Sequence, residues 1–290
     1  MRFGVHVSIS GDLARAVARA KERNCETIQI FSSNPRSWKG KEFSKSEIGE
    51  FKKGCWLEGL EPVVAHTPYL LNLASPHQGL WSKSVEALAE ALKSSELLGC
   101  DYLVTHLGSH AGAGEVEGLK RISSAISVVM KGARAIELLL ENSAGAGFSL
   151  GYSWEQLALI VSELNYSQRV GVCLDTCHAF AAGYDLVSKE SLSRMIELFD
   201  RLLGLERLKL IHANDSKGSI GSRLDRHESL GKGSIGESGF RLIVNHPQLK
   251  SLPCILETPG MGLEDDIRNL AFLRSLVQPG AGARGRMSND

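Results

Sequence analysis

The chain has 290 residues, 43% of them apolar, and its 33 Lys+Arg balance 33 Asp+Glu to a formal net charge of zero. That length suits about two average domains or one large α/β barrel, and the apolar content without net charge excludes a disordered chain. No apolar run reaches the ~18–20 residues of a membrane-spanning helix, and zero net charge counts against a uniformly basic nucleic-acid binder.

Short β-type runs alternate with helical stretches along the chain. RFGVHVS (2–8), TIQIFS (27–32) and PVVAHT (62–67) come first. Trp81, Val85, Leu88 and Leu92 step by three or four and predict a helix ahead of DYLVTHL (101–107). Val116, Leu119, Ile122, Ile126 and Val129 repeat that spacing before AIELLLEN (135–142), as do Trp154, Leu157, Val161 and Leu164 before RVGVCLDT (169–176). RLKLIHAN (207–214) and PCILET (253–258) complete eight strands. Apolar strands alternating with helices predict parallel pairing covered on both faces. An open sheet would gather polar ends at one switch point. Here His, Asp or Glu ends runs three to eight alike, which suits a ring of strand C-termini. The expected fold class is α/β, a single-domain TIM (β/α)8 barrel over residues 1–278, with a Gly-rich, polar tail at 279–290 expected to be disordered.

The opening MRFGVHVSIS lacks the apolar core and cleavage site of a secretory signal. Six sparse cysteines read as reduced, buried thiols. The expected setting is cytoplasmic. The string Gly231-Lys-Gly-Ser-Ile-Gly236 has GxGxxG form but lies about 17 residues past the preceding strand, so it is not read as a dinucleotide site.

Residues i and i+2 of a strand share a face. The rows Val64-His66, Tyr102-Val104-His106, Glu137-Leu139-Glu141, Cys173-Asp175, Leu208-Leu210-His212 and Ile255-Glu257 each end in a polar donor. Any one of these is more often a hydrogen-bonded cleft residue; six coinciding positions predict a site at the top of the lumen. Asp175-Thr-Cys-His178 and Asp225-Arg-His227 adjoin it. Taken singly these read as a helix cap and a surface charge pair, but together they bring the donors to nine. Four clustered carboxylates repel without cations. Imidazole and carboxylate ligands without thiolate suit Zn2+, with Mn2+ or Fe2+ as alternatives, and the CxxxC of Cys173 and Cys177 has too little specificity to add to them. Nine donors suffice for two or three ions if a carboxylate bridges, and clustered ions suit in-line displacement at phosphorus. The residues alone therefore point to a multinuclear metal hydrolase of phosphoesters, with the substrate open.

With these residues in view, the chain resembles the endonuclease IV (deoxyribonuclease IV) family of apurinic/apyrimidinic endonucleases. The strings that carry the likeness are GVHVS (4–8), SNPRSW (33–38), AHTPYLLNLASP (65–76), THLGSH (105–110), ENSAGAG (141–147), GVCLDTCHAFAAGYD (171–185), IHANDSKGSIGSRLDRHESLGKGSIG (211–236) and ILETPG (255–260). The resemblance implies three zinc ions, with Mn2+ able to substitute. One would be held by His66, His106 and Glu141, a second by Glu141, Asp175, His212 and Glu257, and the third by His178, Asp225 and His227. Glu141 would bridge the first two, and Glu141, Glu257 and Asp175 would be the catalytic carboxylates. The implied reaction is hydrolysis of the phosphodiester 5′ to an abasic site, leaving a 3′-hydroxyl, with trimming of blocked 3′ ends besides. The implied partner is damaged double-stranded DNA, bound by a monomer. Arg36, Tyr69 and Leu70 match residues that enter the duplex, in keeping with wedges that bend DNA. Lys217, Arg223 and Arg226 would contact phosphates.

Pro35, Leu107 and Asp12 depart from the common pattern and bear on loop geometry and DNA affinity, not on the chemistry. His6 is expected just behind the ligands, His110 to orient a ligand or touch phosphate, and His77 and His246 to face solvent. Three Zn2+ would turn the charge of four carboxylates from −4 to about +2, leaving the loaded chain at about +6 overall. A sugar isomerase on the same barrel leaves His178, Asp225 and His227 unexplained, and a non-catalytic damage binder leaves an intact ligand set unexplained.

Overall fold

The computed structural model describes residues 1–32, 37–38, 41–164, 169–260 and 262–278. The barrel strands are β1 (Phe3–His6), β2 (Thr27–Phe31), β3 (Val63–His66), β4 (Tyr102–Thr105), β5 (Glu137–Glu141), β6 (Val170–Asp175), β7 (Leu208–His212) and β10 (Cys254–Leu256). They pair in parallel and close as β1-β10-β7-β6-β5-β4-β3-β2. Each lies inside a predicted run. The eight-stranded barrel with its outer helices is the TIM fold expected from the alternating pattern.

Two apolar layers follow from strand alternation. Ile28, Leu103, Leu138, Leu140, Val172 and Ile211 face outward into the main core with the helices. Val64, Val104, Leu139, Cys173, Leu210 and Ile255 form a separate cluster filling the lumen. Each lumen residue stands two positions before one of the predicted donors, so the donors rest on a packed floor. On β1 that floor needs glycine, because a Cβ on Gly4 would sit 1.8 Å from the Thr27 carbonyl oxygen.

The helices are α1 (Leu13–Glu22), α2 (Lys45–Leu57), α3 (Gln78–Leu98), α4 (Glu115–Met130), α5 (Trp154–Ser162), α6 (Thr176–Ala182), α7 (Lys189–Leu203), α8 (Gly236–Asn245) and α9 (Leu263–Leu276). Asp12 explains itself here: it is the N-cap of α1, accepting from Arg15 N at 2.9 Å. Leu107 is buried.

The connection after β7 differs from a plain loop. β8 (Asp215–Ser216) pairs antiparallel with β9 (His227–Glu228), forming a ribbon. Two-residue strands carry no periodicity, so composition could not announce it. Among the described residues no helix is long and apolar enough to cross a membrane. Arg36, Pro35 and the 279–290 tail lie outside the described residues.

Candidate metal centre

Six strands deliver their last polar residues to one mouth of the barrel. His66, Glu141, Asp175 and His212 end β3, β5, β6 and β7, while His106 and Glu257 fall one residue beyond β4 and β10. Three sets of ligand atoms lie close enough to hold ions, each within 4.8 Å: His66 with His106 and Glu141; Glu141 with Asp175, His212 and Glu257; and His178 with Asp225 and His227. These are the three groups the resemblance implies. Glu141 belongs to two of them. Its Oε2 lies 3.1 Å from both His66 Nε2 and His106 Nδ1, and its Oε1 lies 3.0 Å from His212 Nδ1. Asp175, Cys177 and His227 form a fourth close group, in which the Cys177 thiol donates to the Arg226 carbonyl at 3.8 Å.

Backbone and amide carbonyls set the proton on four of the rings, because a carbonyl can only accept. His66 Nδ1 donates to Thr67 O at 2.7 Å, His178 Nδ1 to Asn142 O at 2.9 Å, and His227 Nδ1 to Glu257 O at 3.0 Å. His212 Nε2 donates to Gln29 Oε1 at 2.8 Å. In the neutral tautomer each remaining nitrogen is a lone pair, and each points at carboxylate oxygen. His178 Nε2 is 3.1 Å from Asp225 Oδ1, and His227 Nε2, 3.4 Å from that oxygen, is buried without a hydrogen bond. Lone pairs facing carboxylates need a cation between them, either a proton or a metal ion. The donor set thus fits divalent ions.

The electrostatics agree. Burial pushes the Glu141 carboxyl up, yet His106 and His212 beside it hold it well below the ordinary carboxylate range. Glu257 is likewise pushed up by burial but brought low by His212 and His6. Against the effect of burial, Asp175, Asp225 and Glu141 raise His178 to about 10. Burial lowers His106 and His6. The site is a negative field that attracts positive charge.

Asp175 holds two roles at once. Its Oδ1 caps α6 by accepting from His178 N at 2.8 Å, and its Oδ2 accepts from Asn214 Nδ2 at 2.6 Å. The capping reading and the ligand geometry are therefore compatible. Asn142 grips the Asp175 backbone from β5's end, its Oδ1 accepting from Asp175 N at 2.7 Å and its Nδ2 donating to Asp175 O at 3.1 Å. Asn214 Oδ1 accepts from Glu257 N at 2.9 Å. Asn142, Asn214 and Gln29 were not singled out in the sequence. Each sits beside or across from a named ligand, and the strand-face alternation that selected the ligands also selects Gln29.

The segment carrying Asp225 and His227 is fastened by Asp215. This fully buried carboxylate accepts from the backbone N–H groups of Gly231 (3.0 Å), Gly233 (2.9 Å) and Ile235 (3.0 Å), and of Ser216 (2.8 Å). A Cβ on Gly233 would lie 2.5 Å from Asp215 Oδ1. The GxGxxG string is thus an anion cradle, filled by the chain's own side chain.

Around the mouth, Tyr69 is 61% exposed and Leu70 36%. The Tyr69 ring packs edge-on against Phe31 at 5.3 Å and lies 6.0 Å from His106. Lys217, Arg223 and Arg226 are exposed; Lys217 Nζ is 3.8 Å from Glu228, and Arg223 lies over the Tyr152 ring at 5.1 Å. His6 stands behind the donors as expected, its Nδ1 3.6 Å from Glu257 Oε1. His110 is buried, its Nδ1 accepting from Gly114 N at 3.0 Å and its ring tilted against Phe148 at 5.0 Å, so it shapes a loop. His77 is exposed, but His246 is half-buried and accepts from Gln248 N at 3.3 Å.

A family model described as a xylose isomerase-like TIM barrel matches residues 17–276. Probable endonuclease 4 of Halothermothrix orenii is 47% identical over 276 residues, spanning 94% of this chain and 99% of its own. Probable endonuclease 4 of Methanosphaerula palustris is 46% identical over 285 residues, spanning 97% and 100%. The crystal structure of endonuclease IV from Thermus thermophilus superposes with a TM-score of 0.85 at 39% identity, covering 95% of this chain and 98% of that one. Barrel and sequence together define a xylose isomerase-like TIM barrel. Within that class, the chain belongs to the endonuclease IV family.

Proposed function

We propose that this chain, a DNA-hydrolysing enzyme by its family, incises duplex DNA on the 5′ side of abasic sites, leaves a 3′-hydroxyl, and also clears blocked 3′ ends. The observation that carries the reading is the convergence of nine donors into three close groups, two of which share Glu141. Three zinc ions are the proposed cofactors, with Mn2+ able to substitute. Bound there, they would supply the Lewis acidity and positive charge that phosphodiester hydrolysis requires.

The chain's own residues do the rest. Glu141, Asp175 and Glu257 hold negative charge low in the lumen, fixed by Asn142, Asn214 and Gln29, so the reacting groups meet a preorganised field. Tyr69 and Leu70, with Arg36, are the proposed wedge at the lesion. An abasic nucleotide has no base to unstack, so extruding it costs less than flipping a normal one. Lys217, Arg223 and Arg226 are exposed on the segment that carries Asp225 and His227, which suits backbone positioning. We further propose that residues 1–278 act as one catalytic unit and that the protein works as a monomer.

The test is incision of a duplex carrying a single abasic site. Wild-type protein should cut it, and Glu141→Gln should cut about 10³-fold more slowly or worse while still binding the duplex. Wild-type rates in Glu141→Gln would remove the bridging role.

A further inference from the structure

Strand β2 contributes none of the nine donors, yet it reaches the centre through Gln29. This side chain is fully buried. In register it lies beside His6 on β1 and Val64 on β3, facing the lumen, while its neighbours Ile28 and Ile30 face the helices. Its amide orientation is fixed by chemistry. Glu257 Oε1 lies 2.6 Å from Gln29 Nε2, and an ionised carboxylate can only accept, so Nε2 is the donor. Gln29 Oε1 then faces His212 Nε2 at 2.8 Å and can only accept, so that imidazole carries its proton on Nε2. The second amide N–H meets His6 Nδ1 at 3.1 Å, which holds the carboxamide from behind.

The consequence falls on the other face of His212. Its Nδ1, 3.0 Å from Glu141 Oε1 and 3.4 Å from Glu257 Oε2, is left as a lone pair. Without an acceptor at Nε2, the neutral ring would gain by moving its proton to Nδ1 and donating to Glu141, and the lone pair would be lost to the centre.

We infer that Gln29 is a positioning residue that selects the His212 tautomer and orients Glu257, tuning the centre's hold on its cations. The inference rests on the metal-dependent reading above. A hydrogen-bonded partner behind a ligand imidazole is worth about 10–100-fold in metal affinity or activity.

The test uses zinc-loaded protein and the near-isosteric Gln29→Met. Zinc release to a chromophoric chelator should be about 10–100-fold faster than in wild type. On an abasic duplex, kcat should fall by a similar factor while KM stays within about threefold. In wild type, long-range 1H–15N correlations should show the His212 proton on Nε2. If the methionine variant does not fold, Gln29→Asn, which keeps the amide and shortens its reach, carries the same readouts with smaller changes. A variant matching wild type in both zinc release and kcat, or a wild-type His212 protonated on Nδ1, overturns the inference. Wild-type protein that neither holds zinc nor cuts the duplex would instead sink the functional reading itself.

Discussion

Asp175 accepts the His178 backbone N–H at 2.8 Å, so the carboxylate that closes β6 also dictates where α6 begins and where it sends the imidazole. Strand, cap and candidate ligand are locked into four consecutive residues. The two functions of Asp175 can be separated. Asparagine is as good an N-cap as aspartate, so Asp175→Asn should keep the cap and cost about 1–3 kcal/mol in chemical denaturation of the zinc-free protein, through the lost Asn214 hydrogen bond, yet lose zinc and incision. Asp175→Ala should cost about 1 kcal/mol more through the lost cap. Equal activity in Asp175→Asn and wild type would leave the residue with a capping role only.

Chelation should act on stability as well as on rate. Removing ions leaves imidazole lone pairs and four carboxylates facing one another. A ligand that binds only the folded state contributes about 2.7 kcal/mol at a hundredfold excess over Kd. Stripping tightly bound ions should therefore lower Tm by about 5–10 °C, with about three zinc ions per chain recovered by elemental analysis of the untreated protein. A Tm unmoved by chelator would argue against ions buried in the centre.

Tyr69 predicts a separation of recognition from chemistry. Its ring is mostly exposed and rests on Phe31 and near His106, above the carboxylates. Tyr69→Ala should weaken binding to an abasic duplex about tenfold, the scale of one lost stacking contact, with little change in Tm. Unaltered discrimination between abasic and intact duplex would remove Tyr69 from the wedge.

Far from the centre, Glu96 on α3 receives the backbone N–H groups of Arg134 (2.6 Å), Ala135 (3.0 Å) and Ile136 (3.4 Å) ahead of β5. Burial raises its carboxyl, but these donors and the Arg134 charge outweigh it and hold the group below its ordinary value. A lowered folded pKa stabilises above the unfolded value and is lost as pH falls through the folded one. Glu96→Gln should therefore cost about 1 kcal/mol at pH 7, and the gap to wild type should close as pH falls below about 4. A gap independent of pH would mean that charge is not what Glu96 contributes.

The barrel was legible because its signals repeat. Eight apolar runs and the i, i+2 rows beneath His66, His106, Glu141, Asp175, His212 and Glu257 are local patterns, and each lumen residue of the inner cluster sits where alternation puts it. His178, Asp225 and His227 were harder. Their grouping depends on a short ribbon and a helix cap, and the family resemblance rather than periodicity tied them together. Alternation puts Gln29 on the lumen face, but a glutamine in mid-strand TIQIF is neither a ligand type nor a strand end, so nothing local marks it out. Its importance lies in partners 183 and 228 residues away. His246 misled for a related reason: an imidazole at a helix end carries no record of which backbone N–H it will accept.

Asp215 and the glycines around it bear on how such strings are interpreted. An anion tethered to the same chain, three residues beyond His212 at the end of β7, meets its cradle at an effective concentration of about millimolar or higher. A free phosphate of similar concentration would also have to displace a carboxylate already holding four backbone N–H groups near 3 Å. The glycine string is therefore self-inhibited as a phosphate receptor. What looks like a vacant nucleotide motif is an internal clasp, keeping the segment with Asp225 and His227 within reach of His178.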